Sequence, residues 1–332
     1  MKSAKTLFFT APKQVEVRST PLPTPGEDEV LVETLCSAIS AGTEMLVYGG
    51  QFPQLKDAHD VVSSALNYPL AYGYACVGVV RELGKQVDSS WKDRLVFSFQ
   101  PHTSAFIAHP SFLIPIPKSL APENACFLPN METAVNLVQD GAPILGERVL
   151  VLGQGVVGLL TASLLSEFPL ESLYVVDGIE LRRQALQAEG QKSKASNLSP
   201  DDLRLSNVDS FDLAYELTGS PSALNTAIEH TAFSGRIIIG SWYGQKRAEI
   251  DLGGTFHRSR IRLISSQVST ISPELSGRWD KSRRFEVAWQ ALERIQPVKW
   301  ITHRFTIEDA AKAYYLLDEH PQEAIQTVFN YS

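Results

Sequence analysis

Three glycines, Gly153, Gly155 and Gly158, stand at G-x-G-x-x-G spacing directly after the apolar run Arg148-Val149-Leu150-Val151-Leu152, with Gln154, Val156 and Val157 between them. A small-residue helical pattern starts at Leu159. In such a strand-turn-helix the first glycine permits the turn, the second lets backbone approach a pyrophosphate, and the third lets helix pack on strand, so that the helix amino terminus faces phosphates. A second apolar strand, Leu173 to Val176, ends in Asp177, a carboxylate placed to accept from both ribose hydroxyls of a dinucleotide. The chemistry expected here is binding of NAD. Asp177 would repel a 2′-phosphate, whereas Arg182 and Arg183 follow closely and keep NADP as the alternative.

These residues must be positioned by an alternation of strands and helices. Strands are expected at 148–152, 173–177, 211–217, 236–240 and 261–267, with helical patterns at 185–188 and 222–230, which argues for a parallel sheet with right-handed crossovers. Before them, from Met1 to about Lys118, short strands such as Glu29 to Glu33 and Arg94 to Ser98 are separated by Gly, Pro and Asp-Glu turns and read as a compact β-barrel. Residues 44–68 read as a loop forming one wall of a cleft, and residues 268–284 as a second long segment lining it. Pro122 opens an apolar helical stretch running to Val138. Phe285 to Ile295 and Glu308 to Glu319 have helical periodicity, Thr306 is a candidate cap, and Ala324 to Asn330 reads as a closing strand.

At 332 residues the chain suits two domains rather than one core. A net charge of −7 provides no basic field for nucleic acid, and no run of about 18 apolar residues marks a membrane span. The amino terminus lacks the apolar core of a signal peptide, so a cytoplasmic location is expected. Cys36, Cys76 and Cys126 are far apart in sequence, form no C-x-x-C pair, and read as small buried hydrophobes.

Taken together, Gly42-Thr43-Glu44, Gly73 through Val80, Asp93-Arg94-Leu95-Val96, the glycine fingerprint, Asp177 with Arg182, Glu216 through Ser220 and Gly235-Arg236-Ile237 resemble the medium-chain dehydrogenase/reductase superfamily over essentially the whole chain. The resemblance implies an α/β protein with a GroES-like β-barrel catalytic domain plus a Rossmann dinucleotide-binding domain with a parallel sheet. The expected divisions are 1–123 for the catalytic domain, 124–270 for the NAD(P)-binding domain, and 271–332 for a segment returning to the catalytic domain. It also implies cofactor contacts from Thr133, Thr218 and Gly219, adenine stacking by Arg182, and a homodimer paired through the sheet edge near Arg260 to Val268.

The departures from that pattern concern zinc. Where zinc alcohol dehydrogenases place a ligand Cys, this chain has Ala41; where they place His-Glu, it has Tyr74-Ala75; and the third-ligand zone, Phe127 to Glu132, contains neither Cys nor His. The four-cysteine lobe is missing, so no metal is expected, since catalytic zinc needs three protein ligands and an open position. Leu46 stands where a relay histidine would. Ser40 through Glu44, Phe256 through Ile261, Ser265 through Ser269 and Trp279 through Phe285 resemble a zinc-lacking branch that includes the bacteriochlorophyllide hydroxyethyl dehydrogenases.

Without a metal, a side-chain donor must hold the developing alkoxide. Tyr74 is the first candidate, as donor or as filler of the vacated volume. Thr43 matches a proton-passing hydroxyl. Glu44 and His102 are further candidates with structural roles as the competing reading, and Asn130 and Glu132 could bind a substrate hydroxyl. The expected activity is zinc-independent, NAD(P)-dependent hydride transfer between nicotinamide and a secondary alcohol or ketone of small-molecule size. Reduction of quinones or enones, or dinucleotide binding without turnover, are the alternatives.

Overall fold

The computed structural model describes residues 2–52, 67–186, 195–205 and 210–331. The chain divides into two units, Met1–Pro129 with Gln296–Ser332, and Asn130–Ile295. The first begins with β1 (Lys2–Ala11), β2 (Gln14–Leu22) and β3 (Val30–Ala38), followed by α1 (Glu44–Tyr48), β4 (Leu70–Ala71), β5 (Cys76–Leu83), β6 (Leu95–Ser98), β7 (Ala105–Ala108), β8 (Ile114–Pro115) and α2 (Pro122–Ala125). After α3 (Leu128–Gly141) the second unit contains β9 (Arg148–Leu152), α4 (Val156–Leu165), β10 (Ser172–Val176), α5 (Glu180–Ala185), β11 (Ala195–Leu198), α6 (Pro200–Leu205) and β12 (Phe211–Glu216). It continues through α7 (Ala223–Glu229), β13 (Thr231–Ile239), α8 (Thr255–Arg258), β14 (Arg262–Ser265) and α9 (Lys281–Ile295). The chain then returns to the first unit with β15 (Ile301–Thr306), α10 (Ala310–Glu319) and β16 (Gln326–Asn330).

The second unit is a six-stranded sheet in the order β11-β10-β9-β12-β13-β14, parallel throughout. Strand β9 shows why its sequence is apolar at every position after Arg148. Val149 and Val151 join the core that includes Ala162 and Leu165 of α4 on one face, while Leu150 and Leu152 join Ala214 and Ile237 in the core on the other. A strand covered on both sides loses the polar-apolar alternation of a half-exposed one, and each such side chain contributes roughly 1.5–3 kcal/mol by burial.

The first unit has a three-stranded sheet, β2-β1-β4, and a seven-stranded sheet in the order β15-β16-β3-β5-β6-β8, with β7 also pairing β3. These ladders are the strands of the expected barrel, though among the described residues they do not close a continuous cylinder. Val30 and Val32 of β3 pack with Val80, Val96 and Phe106 in one core, and Leu7 and Phe9 of β1 pack with Tyr314 and Phe329 in another.

Three features differ from the expectations. The return to the first unit comes at Gln296, so residues 271–295 stay with the second unit. The anchor is Arg284 of α9, a fully buried guanidinium that donates to Glu132 Oε1 of α3 through Nε at 3.0 Å and Nη2 at 2.9 Å. Its Nη1 reaches the Thr270 carbonyl at 3.1 Å and Asn136, and Lys281 joins the same carboxylate. Glu132 is thus occupied by cations and is not a free partner for substrate. The segment 44–68 opens with helix α1, and its positions 53–66 lie outside the described residues, as do positions 187 and 188 of the expected helix at 185–188. No helix among the described residues is long and apolar enough to cross a membrane.

Both units carry buried or half-buried phenols. Burial holds Tyr72, Tyr74, Tyr215, Tyr243, Tyr314 and Tyr331 above the ordinary phenol range. Below about pH 10 these groups are neutral in both folded and unfolded chains; above it the unfolded chain releases protons that the folded chain retains. Stability is therefore lost as pH rises from about 10 toward the folded-state values, and the melting temperature should fall steeply across that window. A melting temperature that stays level to about pH 11.5 would contradict this burial.

Candidate functional site

In the second unit the glycine loop meets each of its three requirements. Gly153 has φ of +94°, and a Cβ there would lie 2.6 Å from the Leu217 carbonyl oxygen. A Cβ at Gly158 would lie 1.9 Å from the Gly153 carbonyl oxygen, so strand and helix could not close together. At Gly155 a Cβ would meet nothing within 4 Å, which leaves the approach to the helix open. Gly155 also precedes α4 without any side-chain cap, so the first N–H groups of the helix, from Val156 onward, are not claimed by a capping side chain. The positive end of the helix dipole thus faces an open, uncapped turn suited to a phosphate.

Asp177 follows β10. Its Oδ2 accepts from the Gln154 backbone N–H at 2.7 Å and its Oδ1 from that of Ile179 at 2.8 Å, so the carboxylate is fixed against the glycine loop. A carboxylate has about four acceptor positions. The two in use leave room for ribose hydroxyls. Arg182 approaches Asp177 Oδ2 at 4.0 Å, and burial lowers its guanidinium below the usual value with Asp177 opposing that effect. Arg183 donates to the Asp177 carbonyl at 2.8 Å.

At the end of β12 the buried Glu216 organises the next loop. Its Oε1 accepts from the Thr218 backbone N–H at 2.8 Å and from the Thr218 hydroxyl, while Oε2 accepts from Tyr243. Thr218 in turn accepts from the Ser220 N–H at 3.0 Å. Gly219 takes φ of +74°, and its N–H donates to Ser241 Oγ at 2.9 Å. Thr133 sits half-buried in α3. Glu216 belongs to a segment that carries the family resemblance, whereas Tyr243 had no sequence signal, because it reads as an isolated residue until the loop brings the two together.

These residues fit a dinucleotide, and the fit has a test. Gly155→Ala places a methyl group in open space at an ordinary φ of −63°, so stability should change by no more than about 1 kcal/mol. If a pyrophosphate uses that space, NADH affinity should fall roughly tenfold, about 1.4 kcal/mol, as read by fluorescence titration. Unchanged affinity would move the phosphates elsewhere.

In the first unit, Ser40, Thr43 and Tyr74 gather around a buried carboxylate. Glu44 is fully buried; Oε1 accepts from the Ser40 N–H at 2.8 Å, and the Glu44 N–H donates back to the Ser40 carbonyl at 2.8 Å. This reciprocal pair closes the turn Ser40-Ala41-Gly42-Thr43 before α1. Glu44 Oε2 accepts from the Tyr314 hydroxyl and meets His102 Nε2 at 2.9 Å. On the other side of the ring, His102 Nδ1 lies 2.7 Å from Ser37 Oγ, which lies 2.8 Å from the Tyr331 hydroxyl. A carboxylate accepts only, so Nε2 carries the hydrogen in this pair. Gly73 makes space for that ring: at φ of +119°, a Cβ there would be 2.7 Å from His102 Cδ2.

The geometry favours the structural reading of Glu44 and His102 over a direct acid or base role. Both side chains are enclosed, with 0% exposure and polar atoms turned toward one another. Tyr74 differs. Its hydroxyl donates to Ser40 Oγ, and it is only partly buried. Burial first, and the Glu44 charge second, push its phenol up to about 12, with the Ser40 and Thr43 hydroxyls opposing. Thr43 stands half-buried at the head of α1, beside the exposed Ala41 and Gly42, and Leu46 is buried in the helix. Ser40 is the neighbour that sequence reasoning overlooked.

The cysteines come closer than their sequence spacing implies. Cys36 and Cys126 place their sulfurs 3.2 Å apart, and the Cys76 thiol approaches the Pro101 carbonyl at 3.2 Å. All three are buried, and burial raises Cys126 well above the usual thiol range and Cys76 to about 12, which suits packing rather than reactivity. Among the described residues no three His, Cys, Asp or Glu side chains come together to hold a metal ion. The donor set at Ala41 and Tyr74, a methyl and a phenol, does not fit a zinc centre.

No family model matches the chain. It is 24% identical to an L-threonine 3-dehydrogenase of Xanthomonas campestris over 345 residues, covering 93% of this chain and 94% of that protein. It is also 23% identical to sorbitol dehydrogenase 1 of Saccharomyces cerevisiae over 236 residues, a match spanning 67% of this chain and 62% of the relative's length. Among solved structures, a short chain alcohol dehydrogenase from Escherichia coli complexed with NADH aligns over 100% of both chains, with a TM-score of 0.77 at 19% identity. The 2R,3R-butanediol dehydrogenase of Bacillus subtilis aligns over 99% of this chain and 100% of its own, with a TM-score of 0.78 at 16% identity. A zinc-binding dehydrogenase candidate from Sinorhizobium meliloti bound to NADP gives a TM-score of 0.76 at 16% identity, over 99% of this chain and 100% of its own. At these identities the solved structures establish the fold.

Proposed function

We propose, from the premise that this chain is medium-chain alcohol dehydrogenase-like in fold and in sequence similarity, that it is an NAD-dependent oxidoreductase of secondary alcohols and ketones that works without zinc. The observation that carries this reading is the Tyr74–Ser40 hydroxyl pair beside Ala41, where zinc relatives place metal ligands. The zinc-lacking branch that the sequence resembles is the place we assign it. The exposed edge strand β14 is the surface through which we expect two copies to pair.

When bound, a nicotinamide dinucleotide supplies or takes up the hydride. In this chain Gly153 through Gly158 would hold its pyrophosphate and Asp177 its adenosine ribose, which favours NAD over NADP. Tyr74 and Ser40 handle the oxygen. An alkoxide formed by hydride addition is the conjugate base of an acid about as weak as water. A phenol at about 12 is the stronger acid, so proton transfer from Tyr74 is downhill. Ser40 Oγ accepts the one hydroxyl hydrogen of Tyr74 and keeps its own to donate, so the proton passes in series, Ser40 giving its hydrogen to the oxygen and Tyr74 replacing it. In the reverse direction Tyr74 would need to be a phenolate, which burial and Glu44 oppose. The oxidation step should therefore speed up as pH rises. Glu44 and His102 act as positioning residues that fix the turn carrying Ser40.

The test is turnover of a panel of ketones, secondary alcohols and conjugated enones with NADH, NADPH and NAD. Ketone reduction with NADH supports the proposal. Activity confined to enones would leave Tyr74 as the protonating group for an enolate and overturn the alcohol assignment, and failure to bind either reduced dinucleotide would remove the enzymatic reading.

A further inference from the structure

The second unit has a hollow at the amino-terminal rim of its sheet, where β13 and β14 begin to pair at Arg236 and Arg262. The strands are parallel, so this rim is opposite the carboxyl ends that lead into the glycine loop and Asp177. The hollow encloses about 520 Å³ and is lined by Ser234, Phe256, His257, Arg260, Ile261 and Arg262.

We propose that this hollow is a binding site for a compact, multiply charged phosphate-bearing small molecule, separate from the dinucleotide site. His257, Arg258, Arg260 and Arg262 place four exposed basic side chains within six residues of a chain whose net charge is −7. None of the four has an ion-pair partner among the described residues. The neighbouring arginines on the same rim do, Arg236 with Glu147 at 2.6 Å and Arg148 with Asp212 at 3.9 Å. The rim thus neutralises its other cations and leaves these concentrated around the hollow, where guanidinium forks can grip phosphate oxygens in pairs.

The backbone is shaped to the same end. Ser234 and Arg260 both adopt left-handed conformations, with φ of 59° and 54°, although neither is glycine. The Ser234 N–H donates to the Ser259 carbonyl at 2.7 Å, locking the two segments at the mouth of the hollow. Non-glycine residues held in this region are strained and cluster where a ligand or a mechanism uses the geometry. Phe256 and Ile261 supply an apolar wall, and the exposed Phe233 stands next to Ser234. The combination of two arginines, a histidine and one aromatic wall selects a phosphate group carried on a small organic body over a simple monovalent anion.

Pyrophosphate is the probe. Calorimetric titration into protein saturated with NADH should give saturable one-site binding that sodium chloride at equal ionic strength does not reproduce. The R260Q/R262Q variant should bind at least tenfold more weakly, with NADH affinity and melting temperature unchanged. The variant arm separates this hollow from the glycine loop, which keeps all its residues. Absence of saturable binding in the unaltered protein, or equal binding in the variant, would overturn the proposal.

Discussion

Replacing Tyr74 by Phe should lower the rate of ketone reduction by about 10²–10³-fold, the range expected on losing a positioned proton donor. NADH affinity and melting temperature should stay within error, because the ring remains and only the hydroxyl is removed. The substitution takes away the donor to Ser40 Oγ and leaves Ser40 able to donate alone. The pH dependence follows from the raised phenol. Tyr74 stays protonated up to about 12, so reduction should show no fall between pH 7 and pH 10 that disappears in the Phe variant. Oxidation of the alcohol should rise with pH across the same range, since its proton must leave through a group that resists ionisation. Unchanged turnover in Y74F would make Tyr74 a filler of volume, and the donor role would pass to Ser40 or Thr43.

Glu44→Gln should destabilise the first unit by about 3–5 kcal/mol in denaturant unfolding, the usual cost of breaking a buried charged hydrogen-bond cluster. Three donors converge on this carboxylate: the Ser40 N–H, the Tyr314 hydroxyl and His102 Nε2. An amide offers one acceptor oxygen and turns an NH2 group toward the remaining donors, so at least one buried hydrogen loses its partner. Tyr314→Phe removes one donor and should couple to E44Q by at least about 1 kcal/mol in a double-mutant cycle, because the two groups touch. Additive effects would mean that the carboxylate and the phenol act independently. The consequence for the site is local, since the same carboxylate ties the turn that holds Ser40 and Thr43.

The elements of the glycine loop were legible because their signal is local. Strand β9, the glycine turn and the start of α4 occupy adjacent positions, and the buried two-sided strand announces itself as an unbroken apolar run. Asp177 was legible for the same reason, as the end of the next strand. What escaped the sequence is contact at long range. Glu44 and Tyr314 are 270 positions apart, and Glu132 and Arg284 are 152 apart. Arg284 reads as the end of the long segment 268–284, before the helical periodicity begins, yet it is the buried pin that keeps α9 with the second unit. Cys36 and Cys126, 90 positions apart, likewise come into contact only through folding. Tyr74 was legible as a substitution for a ligand, but its partner Ser40 was not, because a serine beside an alanine carries no periodicity and no charge.

If, as proposed, hydroxyls and not zinc handle the substrate oxygen, activity should survive removal of the metal. The most direct measurement is ketone-dependent oxidation of NADH by protein dialysed against a strong chelator, with zinc content determined on the same sample. Full turnover is expected at far less than one zinc per chain, with no gain when zinc is added back. Activity lost on chelation and restored by zinc would assign the oxygen to a metal instead of to Tyr74 and Ser40.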